Sequence, residues 1–282
     1  MRSDQGGTVT GRFSYSNPNL QQIPARHGIL GPLIRSIFIP EKDHEGGIFD
    51  YSQQEPRLVV HYASLRHFTG AGKFVDSYQE DETTDFHTMV SEMADIPRKQ
   101  AKTINLGLFY GMGKGKLMSQ LGVNLETASE LLASYNERVP FVKQLMNDTM
   151  NKAGKKGYLS TLEGRRCRFD QWEPTNEWGQ KSLPLAEAQQ QYGEHMIKRA
   201  WTYKALNRLI QGSAADQTKK AMLELDKEGY LAHIQVHDEL DFSVASDADK
   251  NKMKDIMENC VELSVPSKVD VECGDNWGDA GD

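Results

Sequence analysis

The segment over residues 233–244 constrains the fold of this chain more than any other. Apolar residues alternate with polar ones on both sides of a polar tip at His237 and Asp238. This pattern predicts two short strands that reverse direction at the tip. Apolar runs over residues 34–39 and 46–51, separated by a polar turn, predict a second hairpin.

The remaining apolar patterns mostly have helical spacing. One helix is predicted from Asp95 as its N-cap, with Pro97 in the first turn, to Gly111 as its C-terminal stop. Residues 1–32 and 163–181 are typical of loops, the second also of a ribbon, and residues 269–272 of an edge strand. The other predicted helices cover residues 56–68, 125–135, 141–152, 185–210, 213–228 and 249–261. Hairpins separated by long helices indicate an α+β fold rather than repeating βαβ units.

Charge is unevenly distributed along the 282 residues. The net charge of −7 argues against a basic protein that simply coats nucleic acid. However, residues 94–116 carry five Lys or Arg against one Asp, and residues 152–168 carry six against one Glu. A basic segment of this kind fits contact with a polyanion, although any single run of like charge is also typical of a solvated helix face.

Composition excludes several classes of protein. With 38% hydrophobic and 26% charged residues, the chain is typical of a soluble globular protein. Its longest mostly apolar run, residues 104–110, is far shorter than the roughly 20 residues that span a bilayer. The N-terminus lacks a secretory pattern, and three scattered cysteines form no disulfide or zinc spacing, so we expect a cytoplasmic protein with no membrane partner.

Two aspartates stand at the ends of predicted strands. Asp50 ends the 46–51 run, and Asp238 lies at the tip of the other hairpin. If both hairpins join one sheet, these carboxylates could share divalent cations, and hard oxygen ligands suit Mg²⁺. Two such ions would activate an attacking hydroxyl and stabilise a leaving pyrophosphate. The alternative is that each aspartate merely caps a turn.

The predicted helix before Gly111 carries a mixed face. Arg98, Lys102, Leu106 and Tyr110 are spaced four apart, so they lie on one side of an α-helix. Two cations at one end, followed by an apolar residue and an aromatic ring, match a nucleoside triphosphate, and a helix N-terminus also attracts anions. His87 could add a phosphate contact, although a lone histidine is more often structural. The glycine-rich residues 111–116 lack the spacing of a phosphate-binding loop.

Five segments together resemble the signature segments of family A DNA polymerases, the DNA polymerase I type. They appear in the family's order and cover nearly the whole chain. The segments are Thr10-Gly-Arg-Phe-Ser-Tyr-Ser-Asn-Pro-Asn-Leu-Gln-Gln-Ile-Pro-Ala-Arg26, Asp50-Tyr-Ser-Gln-Gln-Glu-Pro-Arg57, Arg98-Lys-Gln-Ala-Lys-Thr-Ile-Asn-Leu-Gly-Leu-Phe-Tyr-Gly111, Gln211-Gly-Ser-Ala-Ala-Asp216 and Val236-His-Asp-Glu239.

The resemblance implies an antiparallel palm sheet with flanking helices and a mainly helical fingers subdomain. We expect palm at residues 1–68 and 206–282, and fingers at residues 69–205. The implied reaction is template-directed addition of deoxynucleotides to a primer 3′-end, with two Mg²⁺ ions as cofactor.

The resemblance also assigns roles to individual residues. The implied catalytic and metal-binding residues are Asp50, Asp238, Tyr51 through its carbonyl, and Lys102 as proton donor to pyrophosphate. The implied nucleotide-binding residues are Gln53, Glu55, His87, Arg98, Lys102, Leu106 and Tyr110. The implied contacts to primer-template DNA are Arg12, Asn207, Gln211, His237, Arg165 and Arg166. Among these, Glu55 would exclude ribonucleotides at the 2′ position of the sugar.

Two features depart from the family pattern. Gln54 and Pro56 replace the usual aliphatic residues around Glu55, and Leu106 stands where an aromatic ring is usual. In addition, only ten residues precede Gly11, whereas relatives carry a thumb and commonly a nuclease domain before that point. We therefore expect a fragment, or one half of a split polymerase whose thumb and exonuclease come from a separate polypeptide. The Gln-rich loop variants and Leu106 suggest a viral or phage origin, in a bacterial or infected host cell.

Two other functions remain open at this point. The chain could be a catalytically incompetent DNA-binding remnant of such a polymerase. It could also be a metal-dependent nuclease built on paired acids, although a nuclease needs no nucleotide-binding helix.

Overall fold

A computed structural model describes residues 8–24, 27–177 and 179–281. The last two residues of the first signature segment, 25 and 26, and the N-terminal residues that bear on secretion lie outside the described residues. The chain divides into two compact units. Unit 1 comprises Met1–Leu58, Ser77–Thr83 and Ser213–Asp282, and unit 2 comprises Val59–Asp76 and Thr84–Gly212.

The described chain contains helices and short antiparallel strands. The helices are α1 (Leu30–Arg35), α2 (Gln54–Ser64), α3 (Ala71–Glu80), α4 (Phe86–Ala94), α5 (Arg98–Phe109), α6 (Lys114–Leu121), α7 (Leu125–Arg138), α8 (Pro140–Lys156), α9 (Leu185–Tyr192), α10 (Ala205–Lys227) and α11 (Asp247–Asn259). The strands are β1 (Glu45–Tyr51), β2 (Tyr158–Ser160), β3 (Arg166–Arg168), β4 (Trp172–Pro174), β5 (Ile197–Arg199), β6 (Ile234–Val236), β7 (Glu239–Val244) and β8 (Val269–Gly274). The predicted α+β class is confirmed.

Unit 1 is built on a four-stranded antiparallel sheet with strand order β6-β7-β1-β8. The predicted hairpin at 233–244 is confirmed as β6 and β7, and β8 is the predicted edge strand. Strand β1 lies between β7 and β8, so segments far apart in sequence form one sheet.

Both faces of this sheet are covered by apolar residues. Side chains alternate between the faces of a strand, so Phe49 and Tyr51 point to one face and Ile48 to the other. The first face packs against residues of α10 and α11, among them Leu225 and Met257. On the second face Ile48 belongs to a smaller cluster with Ile234, Trp277 and Ala280. The end of the strand that carries Asp50 is thereby fixed from both sides.

A buried arginine joins the separate segments of unit 1. The Arg57 guanidinium donates to the carbonyl oxygens of Ser52 at 2.9 Å, Pro266 at 2.6 Å and Glu82 at 2.6 Å, and lies 4.5 Å from the centre of the Tyr78 ring. A buried cation is stable only when its donors are satisfied. Arg57 therefore holds β1, residues 77–83 and the segment before β8 in one unit.

Unit 2 is mainly helical, with an aromatic core. The ring of Phe86 in α4 lies 5.2 Å from Phe74, 6.0 Å from Phe109 and 6.4 Å from Phe141. Helix α4 packs against α5 and α7, and α5 packs against α6 and α8. Two ribbons, β2-β3 and β4-β5, complete the unit, as expected for part of residues 163–181.

The predicted hairpin of residues 34–39 and 46–51 is wrong: its second run forms β1, but its first run is not a strand. Residues 30–35 form α1 instead, with Pro32 near its start where proline is tolerated. Because β7 and β8 occupy both edges of β1, no edge remains for a strand over residues 34–39. Residues 1–32 likewise are not all loop, since Leu20–Gln22 forms a 3₁₀ turn.

Three features of the helices also differ from prediction. Asp95 is not the N-cap of α5 but the C-cap of α4, with a left-handed backbone (φ 53°), and Pro97 caps α5. The pattern over residues 185–210 is interrupted at Gly193 (φ 88°), after which β5 pairs with β4. Helix α10 then runs without a break through Gly212, where two helices were predicted.

The sequence led us to expect no membrane-spanning segment, and the structure bears on this expectation through its helices only. Among the residues described, no helix is both long and apolar enough to cross a bilayer.

Candidate active site

The two predicted acids meet at one end of the unit 1 sheet. Asp50 pairs with Glu239, the first residue of β7, and Asp238 immediately precedes that residue in the turn. The backbone N–H of Tyr51 donates to the Asp238 carbonyl oxygen at 3.4 Å. The left-handed backbone of His237 (φ 59°) makes this tight turn between β6 and β7.

More carboxylates share the sheet face of Asp50. In an antiparallel sheet, directly opposed residues point to the same face. Asp50 is opposed by Glu239 and Asp270, and Ile48, two residues earlier, is opposed by Asp241 and Glu272. Like charges on opposed strands destabilise a sheet, so this row of acids favours a cation nearby.

Burial raises the proton affinity of Asp50, Asp238 and Asp241. Loss of surrounding water, followed by repulsion from Asp238, raises the pKa of Asp50 to about 7, although its side chain reaches solvent. Loss of water also raises the pKa of Asp238, against the opposing charges of Arg12 and His237. Burial and then Glu239 raise the pKa of Asp241 to about 9. A bound cation would reverse these shifts.

The donor set fits a divalent metal with few protein ligands. Within the described ranges, no group of three or more His, Cys, Asp or Glu side chains could hold a metal ion. Magnesium commonly takes one or two carboxylates and completes its shell with water and phosphate oxygens. Tyr51 could contribute only its carbonyl, because its hydroxyl is buried and donates to the Met257 carbonyl at 2.7 Å.

Glu55, in the first turn of α2, is held by an arginine from the N-terminal segment. Arg12 Nη2 lies 2.8 Å from Glu55 Oε1. Lys219 of α10 holds the segment by donating to the Gly11 carbonyl at 2.6 Å and by lying 4.6 Å from the Phe13 ring centre. Gln53 directly precedes α2 in a left-handed conformation (φ 53°).

In unit 2 the predicted face of α5 is the accessible one. Arg98 and Lys102 are exposed, Leu106 is half-buried and Tyr110 is 41% exposed. The opposite side of the helix packs into the unit 2 core, with residues such as Ile104 fully buried. The four residues at this spacing therefore lie on the accessible side of the helix.

Arg98 is paired with a residue that the sequence did not single out. Its Nε and Nη2 atoms donate to Asp85 Oδ1 at 3.1 Å and Oδ2 at 2.9 Å. Asp85 also caps α4 by accepting from the Thr88 N–H at 2.7 Å. Although burial opposes it, these hydrogen bonds lower the pKa of Asp85 to about 2, so this carboxylate is ionised beside Arg98.

His87, the second residue of α4, is buried in unit 2 at 7% exposure. Burial, with added repulsion from the Lys102 and Arg98 cations, lowers its pKa to about 4. It is therefore a neutral imidazole at neutral pH.

The predicted DNA-contact residues are divided between the units. Arg12 and His237 belong to unit 1, and the others belong to unit 2. Asn207 and Gln211 lie one turn apart on α10, both half-buried. Arg165 donates to the Gly212 carbonyl at 2.9 Å, while exposed Arg166 lies 4.8 Å from the Tyr158 ring centre.

Comparisons with known proteins agree with one family along the whole chain. A profile of DNA polymerase family A matches residues 2–279. The DNA-directed DNA polymerase of Pseudomonas phage M6 is 38% identical over 96% of this chain and 44% of its own length. The thermostable DNA polymerase I of Thermus aquaticus is 34% identical over 98% of this chain and 32% of its own length. The chain thus spans less than half the length of these relatives.

A solved structure extends the similarity to the fold. The POL domain of Pol1 from M. smegmatis, in complex with DNA primer-template and dNTP, is 30% identical, with a TM-score of 0.79. The match covers 99% of this chain and 48% of that chain. With ordered signature segments, a matching profile and a shared fold, the chain belongs to DNA polymerase family A.

Proposed function

We propose that the chain is the catalytic part of a phage or viral template-directed DNA polymerase, with palm at residues 1–68 and 206–282 and fingers at residues 69–205. The primer 3′-hydroxyl would attack the α-phosphate of a deoxynucleoside triphosphate, and pyrophosphate would leave. The observation that carries the proposal is the meeting of Asp50, on β1, with Asp238, in the turn between β6 and β7, although the two are distant in sequence. Family membership and the DNA-bound structural relative support it.

Asp50, Asp238 and the Tyr51 carbonyl would hold two Mg²⁺ ions. When bound, these ions would activate the attacking hydroxyl and stabilise the leaving pyrophosphate. The surrounding row of acids and the raised pKa of Asp50 support a cation at this end of the sheet. Asp50 would be deprotonated in the working enzyme, because a nearby cation favours the ionised carboxylate.

Unit 2 would contribute most of the nucleotide contacts. Arg98 and Lys102 would neutralise the triphosphate, Lys102 would also donate a proton to the leaving pyrophosphate, and His87 would add a hydrogen bond. Leu106 would pack on the sugar and Tyr110 near the templating base. The exposure of this α5 face supports these roles.

The remaining predicted residues would select and place substrates. Glu55 would occupy the space needed by a ribose 2′-hydroxyl, and Gln53 would add a triphosphate contact. Primer-template DNA would be bound by Arg12, Asn207, Gln211, His237, Arg165 and Arg166. The basic side chains of Arg165 and Arg166 fit contact with the phosphate backbone of DNA.

Primer extension in the presence of Mg²⁺ tests the proposal. Wild type and Asp238→Ala are compared with and without a second polypeptide supplying thumb and exonuclease. Extension by wild type that Asp238→Ala abolishes supports a polymerase. DNA binding without extension in every mixture would instead indicate a noncatalytic remnant, and shortening of the primer would indicate a nuclease.

A further inference from the structure

A chain of buried polar side chains connects His87 to the interior of unit 2. Asn105 Nδ2 lies 2.8 Å from His87 Nδ1, and the Tyr135 hydroxyl donates to Asn105 Oδ1 at 2.5 Å. The three residues belong to α4, α5 and α7, and both Asn105 and Tyr135 are fully buried. A network buried this deeply is costly unless its donors and acceptors match.

The orientation of the Asn105 amide sets the direction of this network. A tyrosine hydroxyl has one proton to donate, and here it is given to the amide oxygen of Asn105. The amide nitrogen of Asn105 therefore faces His87, and an amide NH₂ group can only donate. Nδ1 of His87 must then be the acceptor, so the proton of a neutral imidazole lies on Nε2.

The surroundings of His87 favour the neutral ring. Lys102 and Arg98 oppose a positive charge, and Asp85, which would favour one, is engaged by Arg98. Burial, the largest influence, also lowers the pKa, to about 4. Protonation of Nδ1 would in addition bring a ring N–H against an amide N–H.

We infer that Asn105 and Tyr135 are positioning residues that hold His87 as the neutral Nε2–H tautomer, ready to donate one hydrogen bond to an anionic oxygen. The identity of that oxygen, on the triphosphate of the incoming nucleotide, rests on the proposed function. If the Asn105 amide were turned over, its oxygen would face Nδ1 of His87, and the single proton of the neutral ring would lie on Nδ1. Nε2 would then be an acceptor, which could not bind a phosphate oxygen unless the ring took up a second proton.

Nitrogen-15 NMR of the labelled full chain reads the tautomer directly, whether or not the protein is active. Protonated and unprotonated ring nitrogens have well-separated ¹⁵N shifts, and His87→Gln assigns the resonances. At neutral pH we expect Nε2 to carry the proton and Nδ1 to be unprotonated. A proton on Nδ1, or a doubly protonated ring, would overturn the inference even if primer extension succeeds.

Tyr135→Phe tests the outer residue of the network. Without the hydroxyl, Asn105 can turn, so we expect mixed His87 tautomers and a dNTP KM about threefold or more higher, with kcat changed less. The matched control is Thr149→Val, which removes another fully buried hydroxyl of unit 2, one bonded to the Leu145 carbonyl at 2.9 Å. If Tyr135→Phe keeps the wild-type tautomer, Tyr135 has no positioning role. If the wild-type protein shows the expected tautomer but does not extend a primer, the proposed function fails and the tautomer assignment stands.

Discussion

The Arg12 guanidinium lies 2.8 Å from the Glu55 carboxylate, with both side chains partly shielded from solvent. The charge of Arg12 also opposes the rise in the pKa of Asp238. One arginine therefore contacts the proposed sugar-contact acid and also acts electrostatically on a proposed metal ligand. The ion pair gives the Glu55 carboxylate a defined orientation before any substrate binds.

Glu55→Ala is expected to relax selection against ribonucleotides, because the space for a 2′-hydroxyl is no longer occupied by a carboxylate. We expect the ratio of kcat/KM for rNTP over dNTP to rise about tenfold or more. Arg12→Ala should raise it less, because it frees the orientation of Glu55 without removing its bulk. Single-nucleotide incorporation kinetics measure both ratios, and an unchanged ratio in Glu55→Ala would contradict the sugar contact.

Thermal stability without divalent cations should fall as pH rises from about 5 to about 8. Folded Asp50 keeps its proton up to about pH 7, whereas the unfolded chain releases it near the ordinary value of 3.8. The folded state thus binds more protons between these values, and its advantage is lost as pH rises. Added Mg²⁺ should restore Tm at the upper end of the range, because it binds the ionised form.

Asp50→Asn is the control for this pH dependence. The variant should flatten the fall in Tm and weaken the Mg²⁺ effect, with a residual slope from Asp241, whose pKa is also raised. A wild-type Tm that rises with pH over this range would contradict the electrostatics described for the sheet end.

Gly111→Ala should destabilise unit 2 by about 2 kcal/mol or more. Gly111 adopts φ 66°, and an added Cβ would overlap the carbonyl oxygen of Tyr203. Gly122 has a similar φ of 68° with open space around it, so Gly122→Ala carries only the backbone cost, about 1 kcal/mol. Denaturant unfolding compares the two, and equal losses would remove the role assigned to Tyr203.

Gln54→Leu restores the apolar side chain typical of the family but should destabilise this chain. Gln54 Nε2 donates within a buried site to Gln217 Oε1 at 3.2 Å and Thr218 Oγ1 at 3.3 Å. We expect a loss of about 1–2 kcal/mol in the free energy of unfolding, because acceptors lose their donor. In a double-mutant cycle with Thr218→Val the losses should be less than additive, and strict additivity would contradict the contact.

Residues whose positions follow a periodic pattern within one helix or strand could be predicted from the sequence. The polar tip of a period-2 segment located Asp238, and four-residue spacing located the open face that holds Arg98 and Lys102. Signals of this kind are periodic within one element, so no tertiary contact is needed to find them.

Residues defined by pairing between elements could not be predicted. The acids that share a face with Asp50 depend on the registers of β7 and β8, although the alternating acids at Glu239 and Asp241 were a signal. Asp85 and Asn105 acquire partners only when α4, α5 and α7 pack. The strand predicted at residues 34–39 was wrong for the same reason: an apolar run does not show which strand edges are free to pair.

The rate of single-nucleotide addition in matched carboxylate variants tests the central claim most directly. Asp270 is directly opposed to Asp50 on β8 and 52% exposed, so Asp270→Asn removes a nearby charge without removing a proposed ligand. We predict that Asp50→Asn and Asp238→Asn each lower the rate by about 10³-fold or more, while Asp270→Asn changes it less than about threefold. Equal losses in all three variants, or wild-type rates in Asp238→Asn, would contradict the assignment of Asp50 and Asp238 as the metal ligands of a polymerase.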